Sequence, residues 1–272
     1  MFIPIPQAAR IDRAEAAMCS GVARLRADGL VLPVAGGAAV FAGNGSPLNK
    51  VIGLAFEGQL DPAELDAVEA AFRQRNEPVR VELCTLTEPH IAKTLNDRGY
   101  ILHGFENVLG LAPAEVALPP AANGIRVAPA TSDAELRHWI DISVTAFTQL
   151  DGTGSVVDDA LDRGLLEKVL VEMTSAPGFR RYLAWVDGTP VGAASLRIDG
   201  TLAQVCGAGT LPEARGRGVQ KALLRQRLQE ASQEGCDLAV VTTAPGSRSQ
   251  ENVMRRGFAL LYARAVMIKS WE

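Results

Sequence analysis

Histidine and cysteine are scarce in this chain of 272 residues, which holds three of the first and four of the second. His90, His103 and His138 are dispersed, and Cys19, Cys84, Cys206 and Cys236 show neither a C-x-x-C spacing nor a nearby histidine pair. That argues against a zinc centre and a disulfide framework, and predicts reduced, mostly buried thiols and no metal. No apolar run approaches the roughly 18 residues that a membrane span requires. The opening stretch MFIPIPQAAR lacks a basic n-region and a long h-region, so no signal peptide and a cytoplasmic location are expected. An excess of positive charge is missing too: 27 Lys plus Arg stand against 31 Asp plus Glu, a net charge of −4, which argues against a general nucleic-acid binder. The P-loop pattern G-x-x-x-x-G-K-[ST] is absent. What remains is a globular composition, 47% hydrophobic and 21% charged, in a chain that suits one large domain or two. Nothing in it specifies an oligomeric state.

The chain repeats itself. VELCTLTEPHIAKTLNDRGYILHGFENVLGL and AVVTTAPGSRSQENVMRRGFALLYARAVMIK align without a gap, placing Gly99 on Gly257 and Val108 on Val266. Each reads strand, helix, Arg-Gly-aromatic, strand. Between the halves, LAPAEVALPPAANG is rich in Pro and Ala and lacks amphipathic period, which predicts a linker at 112–123 between domains of 1–111 and 124–272. In the first half Asp61, Pro62 and Glu64 predict a capping box at the start of a helix. In the second, Ser132 and Glu135 predict another, Asp187-Gly188 a hairpin turn, and Leu224, Leu228 and Ala231 the buried face of a helix beginning after Gly218. The second half reads β-α-α-β-β-β-α-β-α-β, an α/β (α+β) layout with a mixed, mostly antiparallel sheet flanked by helices.

One loop concentrates positive charge in an acidic protein. LPEARGRGVQKALL follows the strand-like LAQVCGAGT and leads into the amphipathic helix. A helix N-terminus exposes unpaired N–H groups at the positive end of its dipole, and glycine lets an anion approach that backbone closely. Arg215 and Arg217 add charge-assisted donors, so Arg215 to Gln220 can hold two adjacent phosphates. A solvated turn is the competing reading for a bare R-G-R-G. The run GAGTLP is no dinucleotide fingerprint, because Pro212 stands where the third glycine belongs.

At these residues the chain resembles the GNAT N-acetyltransferase superfamily. TLPEARGRGVQKALL is similar to its acyl-CoA motif Q/R-x-x-G-x-G/A, with Arg215, Gly218 and Gln220 on the three positions and Gln220 departing from Gly/Ala. SQENVMRRGFALLY resembles the later segment that ends in Gly-Phe. The resemblance covers most of 124–272 and implies two GNAT-like domains, each a mixed, mostly antiparallel sheet flanked by helices. The first is a degenerate copy, with EGQLDPAEL carrying acids where the second half carries cations. It implies that the fourth and fifth strands part and that acetyl-CoA lies in the notch. The pantetheine would pair with backbone at Ala208, Gly209 and Thr210, and the diphosphate would meet the N–H groups of Arg217, Gly218, Val219 and Gln220 beside Arg215 and Gly216. Asn252 joins this coenzyme set, with Ser249 a further candidate.

The catalytic side chains match the family less well. LAQVCGAGT has no carboxylate for a base, leaving Gln204 to hold a water, and Val253 stands where a tyrosine acid is common. Tyr262 is the nearest replacement, with two readings open: a general acid for the leaving thiolate, or an aromatic packed on a sheet. A backbone N–H near Ala208 to Thr210 would polarise the thioester carbonyl. An acyl-Cys206 route lacks a neighbouring histidine. The acids Asp151, Asp158, Asp159, Asp162 and Glu167 would form a lip attracting a cationic acceptor, or simply a solvated helix face. The resemblance therefore implies an N-acetyltransferase acting by direct attack on a primary amine of a small molecule or a peptide amino terminus. Alternatives are a non-catalytic acyl-CoA-binding or sensor protein, and an interaction protein with both copies decayed.

Overall fold

The computed structural model describes residues 3–56, 59–115, 124–148 and 162–271. In chain order its elements are α1 (Ile5–Arg24), β1 (Leu30–Val34), β2 (Gly37–Phe41), β3 (Lys50–Ile52), α2 (Pro62–Gln74), β4 (Val79–Cys84), α3 (Pro89–Asp97) and β5 (Ile101–Leu111). There follow β6 (Ile125–Pro129), α4 (Asp133–Thr148), α5 (Arg163–Met173), β7 (Phe179–Val186), β8 (Thr189–Asp199), β9 (Leu202–Thr210), α6 (Val219–Gln233), β10 (Leu238–Thr243), α7 (Arg248–Met254) and β11 (Ala259–Lys269). From β6 onward the order is the β-α-α-β-β-β-α-β-α-β of the sequence reading. Residues 116–123 of the expected linker lie outside the described residues.

The chain forms two compact units, one of Met1–Leu109 with Thr243–Pro245 and Ala259–Glu272, the other of Gly110–Thr242 with Gly246–Phe258. The sequence reading kept 124–272 together, whereas β11 packs in the first unit. There the strand order is β1-β2-β3-β4-β11-β5, and β11 runs antiparallel to β4 with Val266 opposite Glu82. Phe41 and Phe72 meet edge to face at 6.1 Å within a core that also takes Val51, Leu65, Val81 and Leu95. Asp61 caps α2 by accepting from Ala63 N–H at 2.9 Å, as expected. Glu64, however, accepts from Ala35 N–H at 2.6 Å and does not close the capping box.

Beside that apolar core lies a buried ionic network. Arg264, fully buried, donates to Asp12 Oδ1 at 2.6 Å and to Glu15 Oε2 at 2.7 Å, while Lys50 Nζ lies 2.8 Å from Glu82. Burial alone would raise the Glu15 carboxyl, but Arg264 and Lys50 outweigh it and hold the group at about 2. Burial raises Asp12 despite its arginine partner.

The second unit carries the strand order β10-β9-β8-β7-β6. Asp187 and Gly188 turn β7 into β8 with positive φ values of 51° and 81°, the hairpin that the dipeptide predicts. Ser132 and Glu135 form the expected capping box, Ser132 N–H donating to Glu135 Oε2 at 3.0 Å and Glu135 N–H to Ser132 Oγ at 3.3 Å. α6 buries Leu224, Leu228 and Ala231. Gly192 on β8 permits the close seating of α6, because a Cβ there would stand 2.4 Å from Val219 Cγ1.

The two aligned segments end their helices alike. α3 ends at Gly99 with φ +89°, and Tyr100 N–H reaches back to Leu95 O; α7 ends at Gly257 with φ +92°, and Phe258 N–H reaches back to Val253 O. Both are Schellman closures, which place the following aromatic against the helix it leaves.

Candidate functional site

β9 is the organising strand of the second unit. Its parallel ladder with β10 runs from Leu202–Leu238 to Gln204–Val240 and stops there, so Val205 to Thr210 continue against β8 alone. On the β8 side the register shifts: Ser195 faces Cys206 and Ala193 faces Gly209, leaving Ala194 opposite both Gly207 and Ala208. This is a β-bulge, with Gly207 in the left-handed region at φ +54°. A notch therefore opens beside the bulged strand, where among the described residues no strand pairs with Val205 to Thr210 from the β10 side.

At the end of β9 a single 3-10 turn, Pro212–Ala214, leads into the glycine loop. Gly218 is the N-cap of α6 at φ +90°, with no side chain capping the helix, and Gly216 lies at φ +77°. The first intrahelical bond runs from Ala222 N–H to Gly218 O, so the amides of Val219, Gln220 and Lys221 precede it and point out of the helix end. The first unit offers the opposite arrangement at α2, whose N-terminal amide is already met by the Asp61 carboxylate.

Gly209 is buried, where a Cβ would stand 2.3 Å from Ala146 Cβ on α4, so its small size serves packing as well. Thr210 is buried and Ala208 exposed. The side chain of Arg217 makes an exposed ion pair with Asp187 at 3.3 Å. Asn252 and Ser249 are exposed on α7, and Val253 is buried. Gln204 accepts from Arg197 Nη1 at 2.6 Å and is not a free water holder.

Tyr262 requires a correction. It lies on β11 in the first unit, 4% exposed, and its hydroxyl donates to Asp12 Oδ1 at 2.5 Å. Burial, with the neighbouring Asp12, raises its pKa well above that of an ordinary phenol. The aromatic-on-a-sheet reading is the one its surroundings support. Of the expected acidic lip, Asp151, Asp158 and Asp159 lie outside the described residues. Asp162 caps α5 by accepting from Leu165 N–H, and Glu167 pairs with Arg163 at 2.9 Å. Among the described residues no group of His, Cys, Asp and Glu is placed to hold a metal, and no helix is long and apolar enough to cross a membrane.

Residues 144–258, which contain the notch, the bulge and the glycine loop, match the family model described as Acetyltransferase (GNAT) family. This segment is similar to the GNAT acetyltransferases. Among curated proteins no sequence match was found. The GNAT fold recurs over nearly the whole chain in a GCN5-related N-acetyltransferase from Kribbella flavida, at 20% identity and TM-score 0.72, covering 97% of this chain and 96% of that one. A GCN5-related N-acetyltransferase from Sphaerobacter thermophilus is 15% identical with TM-score 0.58 over 76% of this chain and 67% of its own. A tandem GNAT protein from the clavulanic acid biosynthesis pathway is 16% identical with TM-score 0.61 over 86% and 78%. At these identities the likeness is one of fold.

Sequence reasoning found the glycine loop because it concentrates glycine and arginine in one short run. It missed Trp139 and Arg227, whose side chains tie the bulge to α4 and α6, since a lone tryptophan or arginine on an amphipathic helix carries no local signal.

Proposed function

We propose that the chain transfers an acetyl group from acetyl-CoA to a primary amine of a small molecule or a peptide amino terminus, by direct attack. The supporting observation is the uncapped left-handed start of α6 at Gly218, set where β9 has left β10. On this reading the amides of Arg217, Gly218, Val219 and Gln220 receive the diphosphate, with Arg215 and Gly216 beside them. The backbone of Ala208, Gly209 and Thr210 lies along the pantetheine, and Asn252 borders the coenzyme. A backbone N–H near Ala208 to Thr210, at the bulge and just beyond it, polarises the thioester carbonyl, a role that backbone donors fill without a catalytic side chain. The first unit is then a degenerate GNAT-like copy that binds no coenzyme, because Asp61 already occupies the end of α2 that a phosphate would use. The same fold in a protein described as a tandem GNAT supports that arrangement.

A coenzyme-binding module without turnover is the second reading, favoured by Gln204 being held by Arg197 on a strand with no carboxylate. Incubating the protein with acetyl-CoA and a panel of primary amines, while following release of free thiol, tests the two. Amine-dependent thiol release is expected. Tight acetyl-CoA binding with no acceptor consumed across the panel would establish the binding module instead.

A further inference from the structure

Arg227 is 2% exposed, on α6, two turns beyond its N-terminus. Its Nε donates to Leu223 O at 3.1 Å, and its Nη1 donates to Ser195 O at 3.0 Å and to Cys206 O at 3.2 Å. Among the described residues no carboxylate pairs with it. Burial brings its pKa down to about 10, which leaves it protonated at neutral pH. Charge held in a protein interior by carbonyls alone is costly, and an unbranched apolar side chain such as methionine would fill much of the same space without that penalty.

Its two strand partners are informative. Ser195 and Cys206 face each other as the last regular pair before the bulge, and Cys206 O belongs to the same peptide group as Gly207 N–H. A cation bonded to the carbonyl end of a peptide polarises the amide end and makes it a stronger donor. From the opposite helix, buried Trp139 on α4 donates Nε1–H to Ala194 O at 3.1 Å, at the residue the bulge leaves without a one-to-one partner. The irregular part of β9 is therefore gripped through α6 by Arg227 and through α4 by Trp139, where a bulge held by strand pairing alone would be free to relax.

We propose that Arg227 is a positioning residue for acyl transfer: by holding the Ser195 and Cys206 carbonyls it fixes the bulge and polarises the Gly207 amide at its start, and so sets the backbone donors that meet the acyl carbonyl. The inference rests on the coenzyme reading above. It predicts an effect on the carbonyl and on kcat that is separate from any effect on coenzyme affinity. Oxyanion donors act only within a few tenths of an ångström of their target, so slackening them lowers rate more than binding.

Acetyl-CoA labelled with carbon-13 at the thioester carbonyl supplies a readout that needs no acceptor. In the wild type, binding should lower the carbonyl stretching frequency by difference infrared spectroscopy. In Arg227→Met that lowering should shrink while the acetyl-CoA Kd stays within about threefold, and kcat with any working amine should fall roughly 10- to 100-fold. Arg227→Lys, which keeps the charge and one donor, should recover part of both. A wild-type frequency in Arg227→Met, or a loss of affinity as large as the loss of kcat, overturns the proposal. If Arg227→Met does not fold, Arg227→Lys and Trp139→Phe decide it: each must weaken the frequency shift at near-constant Kd, and failure of either overturns it. A wild type that binds no acetyl-CoA overturns the coenzyme reading itself, a result distinct from one that binds it and ignores Arg227.

Discussion

Tyr262 and Arg264, two residues apart on β11, both donate to Oδ1 of Asp12, which is fully buried on α1. One carboxylate oxygen thus takes a phenol and a guanidinium, while its other oxygen, Oδ2, has no partner among the described residues. In such a place a hydroxyl is a structural donor, and its proton is committed to Asp12. Tyr262→Phe should therefore leave kcat and acetyl-CoA affinity within about twofold of wild type. It should cost stability of about 1.5–3 kcal/mol, the usual contribution of a hydrogen bond to a charged group. Denaturant unfolding beside steady-state kinetics would check both halves of this expectation. A large fall in kcat at unchanged stability would restore the tyrosine to the chemistry. The sequence could not separate these roles, because Asp12 and Tyr262 are brought together across almost the full length of the chain.

Elements with a local cause were the legible ones. The Asp61 and Ser132 caps, the Asp187-Gly188 turn and the glycines closing α3 and α7 each depend on a few neighbouring residues, and each forms where the sequence predicts it. Glu64 departs from expectation because its competitor for the carboxylate, the Ala35 amide, comes from a hairpin 29 residues earlier. The glycine loop was legible for the same local reason, whereas the seating of α6 on Gly192 depends on which helix covers which strand. At that element the expectation is specific. Gly192→Val adds a β-branched side chain where Val219 Cγ1 would lie 2.4 Å from the new Cβ, so α6 must shift. Overpacking of this kind costs about 1–3 kcal/mol. Displacing the N-terminus of α6 should also weaken acetyl-CoA binding at least tenfold. Thermal melting and calorimetry check the pair of effects, and a destabilised variant with intact affinity would detach the helix end from the coenzyme.

At the scale of the whole molecule, the division into two units does not follow the order of the chain. β11 is interior to the first unit's sheet, between β4 and β5, and it supplies the Arg264 that compensates Asp12 and Glu15. Deleting 259–272 should leave those buried acids without their arginine, a loss of the kind that costs several kcal/mol. Amide exchange across β4 (Val79–Cys84) should then become fast, as read by hydrogen-exchange mass spectrometry, and slow exchange there would show that β11 is dispensable. A repeat alignment cannot reveal this arrangement, since it matches segments by pattern and says nothing of which sheet receives a strand. The first unit also carries the contrast that gives the account its sharpest consequence: a carboxylate caps α2, while α6 begins at a bare glycine. Calorimetric titration of the full chain with acetyl-CoA, beside the Gly218→Val variant, tests this most directly. The account predicts one site per chain, lost in Gly218→Val because a β-branched residue neither adopts φ near +90° nor leaves room for a phosphate. Two sites of similar affinity, or a folded Gly218→Val protein that binds acetyl-CoA like the wild type, would contradict it.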